Sequence, residues 1–292
     1  MSATNIGDNT MQLGITMFST CRGMSPGDLA LACEERGFTS LHLAEHSHIP
    51  ISRHSPFPGA SPTRPNLPDV YWHINGPVTS LAMAAVVTER LVVGSSVTLL
   101  CQQDPIHLAK ELATIDHYSG GGRVEVGVGF GWNREEMEAH GAVWSTRRER
   151  VRDAVAIMRA LWRDHEASYA GEVLSLEPSW SYPKSVSPDG LPVLLGGVIA
   201  PKMLAHLVEW ADGWIPILTP AIDLAADVAT LRQAFEDAGR DPDSLRITIC
   251  NAPSDAAGLE GLAALGVQRA ALTVWAETRD DVLHQLDHFS RI

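Results

Sequence analysis

The chain has 292 residues, 45% of them hydrophobic and 20% charged, which suits one large globular domain rather than a disordered or fibrous chain. Its 35 acidic against 22 basic residues leave a net charge of -13, which excludes nucleic acid as a partner because no basic patch could offset it. No run of about 18 apolar residues occurs, so no membrane-spanning helix is expected. Residues 1–14, MSATNIGDNTMQLG, lack the basic-then-apolar order of a signal peptide. Cys21, Cys33, Cys101 and Cys250 show no metal-ligand spacing. A cytoplasmic protein with reduced, mostly buried thiols is expected.

Gln12 to Phe18 reads as a first strand, and Ser25-Pro26 caps a helix that Gly37 stops. Ser40 to Ala44 is a second strand, whose end carries Glu45, His46 and His48. The 50–70 stretch is rich in proline and has no periodicity, which marks it as a lid or binding loop. Its few charges, Arg53, Arg64 and Asp69, point to an apolar or weakly anionic ligand. Gly76-Pro77 opens a helix to Thr88, and Arg90 to Leu100 forms a third strand interrupted by small residues. Asp104-Pro105 starts the next helix, which reaches Tyr118.

Val124 to Val128 alternates poorly and reads as a fourth strand buried on both faces. Gly127, Gly129 and Gly131 then remove side chains where the strand ends, which serves either a flat ligand or a tight turn. Asn133 follows as a helix N-cap, with Glu135 and Glu136 in the first turn. Thr146 to Trp162 is helical by its apolar spacing, and 168–190 is an irregular insertion with a small hairpin. Leu191 to Leu195 is a fifth strand ending in Gly196-Gly197, before a helix from Pro201 to Trp210. Three more strands follow, at Asp212 to Ile217, Leu245 to Cys250 and Arg269 to Val274, with helices at Ile222 to Ala238, Asp255 to Leu265 and Arg279 to Phe289.

Eight strands alternating with helices, without a composition shift, predict an α/β chain folded as a single (β/α)8 TIM barrel over 1–292. The chemistry of such barrels lies at the C-terminal ends of the strands. That rule nominates Glu45, His46 and His48, then Ser95, Ser96, Val97 and Thr98, then Gly127, Gly129, Phe130, Gly131 and Trp132, and finally Gly196 and Gly197. Little acid-base machinery is among them.

His46-x-His48 could ligate a metal, but strands five to eight add no further ligand, so no metal site is expected. His46 reads instead as a polar group facing a cofactor ring, or as a capping or loop-stabilising histidine. Gly127-x-Gly129 fits the dinucleotide fingerprint poorly, having no ribose-binding acid at the required spacing. Gly196-Gly197 reads either as a plain turn or as a phosphate site made of free backbone N–H groups near a helix N-terminus. Cys250 reads as core packing.

On the residues GSSVTLL (94–100), DPIHLAKELATIDHYSGGGRVEVGVGFGWNREEMEAHG (104–141), RRERV (147–151), LLGG (194–197) and ADGWIP (211–216), the chain resembles the luciferase-like monooxygenase family. The pattern around 119–141 is most similar to the branch that uses coenzyme F-420, a deazaflavin. The resemblance implies a hydride transfer between that cofactor and a small organic substrate, and a homodimer. It implies a ring lying over the barrel mouth, propped by a non-prolyl cis peptide at Ser96-Val97. Ser95 to Thr98, Gly127 to Trp132 and Gly196-Gly197 would line the ring, side chain and phosphate. His46 would handle the proton and Glu45 would orient it. Members with a carboxylate in the loop after strand four contrast with Phe130 and Trp132 here, which puts a proton donor at that place in doubt. Alternatives are an FMN-dependent monooxygenase of the same fold, a cofactor carrier without turnover, and a metal-dependent barrel hydrolase.

Overall fold

The computed structural model describes residues 11–60 and 66–292. Most of the segment weighed as a signal peptide, and Arg64 of the lid stretch, lie outside the described residues. Ten strands occur among them: β1 (Gln12–Met17), β2 (Ser40–Leu43), β3 (Val92–Ser95), β4 (Val124–Val128), β5 (Ala167–Ala170), β6 (Ser175–Ser179), β7 (Val193–Leu195), β8 (Gly213–Trp214), β9 (Arg246–Cys250) and β10 (Arg269–Val274). The α-helices are α1 (Pro26–Glu35), α2 (Pro77–Val87), α3 (Pro105–Tyr118), α4 (Arg134–Ala139), α5 (Arg147–Arg163), α6 (Pro201–Trp210), α7 (Leu224–Asp237), α8 (Ala256–Ala264) and α9 (Arg279–Phe289). Eight strands close in the order β1-β10-β9-β8-β7-β4-β3-β2, every neighbouring pair parallel. The TIM barrel is therefore as expected, and β5 and β6 pair antiparallel as a hairpin outside it.

Local chemistry explains where the helices start. Ser25, Asp104, Asn133, Asp223, Asp255 and Thr278 each accept a backbone N–H in the first turn of the helix they precede. Two strands come out shorter than their sequence pattern. β8 is cut to two residues because Pro216 has no N–H to donate, and a bridge resumes only between Ile217 and Cys250. β3 ends at Ser95; the Ser96–Val97 peptide that follows is cis, and a parallel bridge resumes between Thr98 and Val128.

The barrel interior is polar toward the N-terminal ends of the strands and apolar above. Glu125 of β4 is buried, and its carboxylate takes the Arg269 guanidinium, His42 Nε2 at 3.3 Å and Arg246 at 3.6 Å. Burial disfavours its charge, but Arg269 and His42 outweigh that and hold the carboxyl well below the usual carboxylate range. Burial conversely pushes His42 down, opposed by its contact with Glu125. Above this layer Leu194, Ile215, Cys250 and Ala271 form a small apolar cluster that Val97 covers from the mouth. Cys250 is thus core, and burial pushes its thiol up to about 12.

Glycine is required where β4 meets the turned segment after β3. A Cβ on Gly127 would lie 2.1 Å from the Ser95 carbonyl oxygen, an impossible approach that only a backbone shift could relieve. Gly127→Ala is expected to lower unfolding stability by about 3 kcal/mol, measured as a urea midpoint, because overpacking here displaces a strand.

Candidate active site

The mouth of the barrel is built in three parts, each from a different stretch of sequence. The floor is the segment 95–98. Ser95 Oγ donates to the Gly127 carbonyl at 2.9 Å, Thr98 Oγ1 donates to Ser95 Oγ at 2.8 Å, and Ser96 Oγ pairs with Thr16 Oγ1 at 2.9 Å. These hydroxyls stitch the segment onto β4 and β1, so the side chains of Ser95, Ser96 and Thr98 are buried and engaged within the protein. Val97 alone of the four is half-buried. Its two methyls lie where a Cβ on Gly129 (2.6 Å) or on Gly196 (2.8 Å) would stand. Those glycines therefore make room for Val97. The Gly196 N–H is not free for a phosphate either, since it donates to the Val128 carbonyl at 2.8 Å. Gly197 adopts φ +141, and its carbonyl accepts the Trp214 indole N–H at 2.8 Å.

The second part is a buried acid-imidazole pair. His46 Nδ1 lies 2.7 Å from Glu136 Oε2, and the other oxygen, Oε1, accepts the Ser47 N–H at 2.9 Å. A carboxylate only accepts, so Nδ1 carries the proton of this bond and Nε2 is left pointing elsewhere. Among the described residues Nε2 has no hydrogen-bond partner. Glu136 is held in turn by the first turn of α4, which Asn133 caps. The expectation that Glu45 orients His46 is overturned. Glu45 Oε2 accepts the Leu99 N–H at 2.9 Å and Oε1 accepts the Gln103 amide, so it anchors the chain after the cis peptide. Burial pushes the Glu45 carboxyl up, partly opposed by those two donors. Neither oxygen faces the mouth.

His48 goes elsewhere. Its Nδ1 meets Ser47 Oγ at 2.9 Å and its ring lies against His140, so the two histidines of the His-x-His pair serve different partners. Among the described residues no group of three or more His, Cys, Asp or Glu side chains is placed to hold a metal ion.

The third part is a set of rings and cations over the mouth. Trp132 packs edge-on against His46, with ring centroids 5.7 Å apart, and against Tyr71 at 6.3 Å. Gly131, at φ +73, gives the turn that swings Trp132 there. Phe130 points the other way, beneath the Arg148 guanidinium at 4.4 Å and beside His206 of α6 at 5.1 Å. Arg147 Nε and Arg148 NH1 are buried without a hydrogen-bond partner, with the Glu149 carboxylate also at this edge. Burial and Arg148 together push His206 down. α6 begins without a side-chain cap, so its first N–H groups remain open beside that charge.

The lid stretch is clamped at both ends. Glu135 Oε1 accepts the N–H groups of His54 (2.6 Å) and Ser55 (3.2 Å), while Arg22 bridges Asp69 at 2.9 Å and Glu277 at 2.7 Å. Desolvation works against the Glu135 charge, but the Ser55 hydroxyl and these N–H groups win and hold it at about 2. Such a depressed group supports the clasp above its ordinary value of 4.5 and releases it as pH falls toward about 2. Glu135→Gln is expected to raise the rate of limited proteolysis near residues 50–60 several-fold at neutral pH with little change in Tm.

The sequence rule that located strand ends found His46, Val97, Phe130 and Trp132. It missed Glu136, Arg148 and the rings of Phe18, Phe57, Tyr71 and Trp275. Glu136 was visible only as a first-turn acid, a position that does not distinguish a solvated carboxylate from a buried one.

The family model for luciferase-like monooxygenase matches residues 25–257. The chain belongs to the luciferase-like monooxygenase family. An uncharacterized protein of Mycobacterium tuberculosis is 40% identical over 233 residues, covering 79% of this chain and 80% of that protein. A phthiodiolone/phenolphthiodiolone dimycocerosates ketoreductase of the same species is 33% identical over 172 residues, covering 56% of this chain and 43% of that enzyme. Among solved structures, an F-420-dependent secondary alcohol dehydrogenase in complex with an F-420–acetone adduct superposes with a TM-score of 0.74 at 18% identity, over 97% of this chain and 98% of that one. The monooxygenase RslO1 of Streptomyces bottropensis superposes with a TM-score of 0.72 at 19% identity, over 96% and 98%. At such identity these two likenesses establish the fold alone. This luciferase-like chain thus shares its fold with an F-420-dependent dehydrogenase and with a monooxygenase. None of its described helices is long and apolar enough to cross a membrane.

Proposed function

We propose that this protein is a coenzyme F-420-dependent oxidoreductase that moves a hydride between the deazaflavin and a small alcohol or carbonyl compound. The observation that carries the reading is the His46–Glu136 pair at the mouth, with Nε2 unpartnered. Hydride transfer to or from an alcohol carbon must be matched by a proton at oxygen, and an imidazole held in place at one nitrogen is suited to take or give it at the other. The residues fit the cofactor. Val97 offers an apolar seat for a ring above a closed apolar layer. The orphaned guanidinium atoms of Arg147 and Arg148, beside the uncapped start of α6, offer charge for a phosphate and an anionic tail. When bound, the deazaflavin supplies the two-electron hydride carrier; the protein supplies the seat, the proton site and exclusion of water.

His46 Nε2 accepts the hydroxyl proton of an alcohol, and the Glu136 carboxylate steadies the imidazolium that results. In the reverse direction the same nitrogen returns the proton to the oxygen of a carbonyl. Trp132 and the clamped lid keep the proton from leaking to solvent. An FMN-dependent monooxygenase shares this fold and remains the competing reading. The test is a pair of turnover assays: anaerobic bleaching of oxidised F-420 by a secondary alcohol supports the proposal, whereas aerobic oxygen consumption with reduced FMN and no F-420 bleaching overturns it. Arg148→Ala is expected to weaken F-420 binding about tenfold or more, read by fluorescence titration, while leaving the Tm unchanged within a few degrees.

A further inference from the structure

The residue between the two histidines of the His-x-His pair makes the contacts that join them. Ser47 meets the Glu136 carboxylate twice on one oxygen: its N–H donates to Oε1 at 2.9 Å, and its Oγ lies 3.3 Å from the same atom. The other oxygen, Oε2, takes His46 Nδ1 at 2.7 Å. Residues 46 and 47 therefore wrap the carboxylate from both sides. Ser47 Oγ is itself held from the surface. His140 Nε2, at the C-terminal end of α4, lies 2.7 Å from it, and His48 Nδ1 lies 2.9 Å from it. Gln102 Oε1 stands 3.3 Å away. His46 and Glu136 are buried, whereas Ser47, His48 and His140 are exposed.

A serine hydroxyl has one hydrogen to give and two lone pairs. Four groups surround this one, and two of them, the Glu136 and Gln102 oxygens, only accept. The arrangement that satisfies them best has both imidazoles donating to Oγ, which leaves the hydroxyl hydrogen for an oxygen. Between two oxygens at 3.3 Å, the charged carboxylate is the stronger acceptor. Glu136 Oε1 then receives two donors in different directions, one on each lone pair. A single donor would fix the distance of that oxygen and leave the carboxylate free to rock about it. Two donors also fix its plane, and with it the direction in which Oε2 meets His46.

We infer that Ser47 is a positioning residue for the mouth: its N–H and hydroxyl aim Glu136 at His46, while His140 and His48 fix that hydroxyl from outside. The inference rests on the hydride-transfer reading above for its effect on turnover, though not for its effect on the His46–Glu136 bond. Ser47 touches no reacting atom and acts through His46. With Glu136 fixed, Nδ1 stays on Oε2 and the imidazole holds one orientation about Cβ–Cγ. With Glu136 rocking, the ring swings, and Nε2 spends less time where a substrate oxygen can meet it. A proton acceptor displaced in this way slows the reaction without weakening the binding of substrate or cofactor.

The test reads the full chain in two ways. The first needs no turnover: in protein labelled with nitrogen-15 histidine, NMR follows exchange of the His46 Nδ1 proton with water. Ser47→Ala, which leaves the N–H in place, is expected to speed that exchange about tenfold or more, and Ser47→Thr, which keeps a hydroxyl, to leave it nearly unchanged. His48→Ala combined with His140→Ala is expected to speed it as well. The second is oxidation of isopropanol with oxidised F-420. Ser47→Ala is expected to lower kcat about tenfold with KM and F-420 affinity little changed, and Ser47→Thr to keep most of the rate. In a His46→Ala background the Ser47→Ala change is expected to cost nothing further. Unchanged exchange in Ser47→Ala, or a full further loss in the His46→Ala background, overturns the inference. Faster exchange with no alcohol oxidised by any form leaves the positioning role standing and sinks the deazaflavin reading. Alcohol oxidised equally well by the unsubstituted protein and by Ser47→Ala does the reverse.

Discussion

Replacing His46 by alanine is expected to lower kcat by about 10²- to 10⁴-fold while leaving F-420 affinity unchanged. The reason is positional: Nε2 is the proton acceptor the mouth provides, and the ring seat at Val97 is built from other strands. Glu136→Gln is expected to act through His46, because a carboxamide cannot accept from both Nδ1 of His46 and the Ser47 N–H without setting its own NH2 against one of them. Its kcat should fall about tenfold or more, with KM and cofactor affinity little changed, a split that a merely unfolded variant would not give. Glu45→Gln should behave differently. It disturbs the Leu99 and Gln103 contacts, so it should weaken cofactor binding before it slows turnover. Full turnover by His46→Ala would remove the proton-handling role.

The second large effect lies far from the mouth. Glu125→Gln is expected to cost about 3–5 kcal/mol of unfolding stability, because it leaves Arg269 charged and nearly buried without its partner. Glu125→Gln with Arg269→Gln should cost less than the sum of the two single changes, since each alone strands the other's partner. The pH dependence has a definite sign. The Glu125 pKa is depressed in the folded state, so its contribution is present above its ordinary value of 4.5 and is lost as pH falls toward the folded value. Acid unfolding of Glu125→Gln should therefore be flatter over that range than that of the unsubstituted protein.

The barrel was legible in the sequence because each unit carries its own punctuation. Ser25, Asp104, Asn133, Asp255 and Thr278 mark helix starts that the fold reproduces. Apolar runs such as 124–128 could only be strands buried on both faces. The site was legible only as far as strand ends reach. His46 and Trp132 sit at such ends, and a period-based reading finds them. The role of Glu45 was misplaced because adjacency in sequence suggested a pair, whereas a residue leaving a strand points to the opposite side from its neighbour. The acid that holds His46 arrives from α4, and nothing in 46 or 136 alone announces that contact. The glycines were legible only in part: a glycine marks close approach, but the sequence does not say what approaches. At Gly129 and Gly196 Val97 does, and at Gly127 the Ser95 carbonyl does. The aromatic wall was hidden because Phe57 lies in a loop without periodicity and Tyr71 in a single short 3-10 turn just after it.

The measurement that tests the account most directly is a pair of fluorescence titrations of the purified protein, one with F-420 and one with FMN. The account predicts saturable, tight binding of F-420, weakened by Arg148→Ala, and much weaker binding of FMN. Tight binding of FMN with none of F-420 would contradict it and move the reaction to flavin-dependent oxygenation on the same barrel.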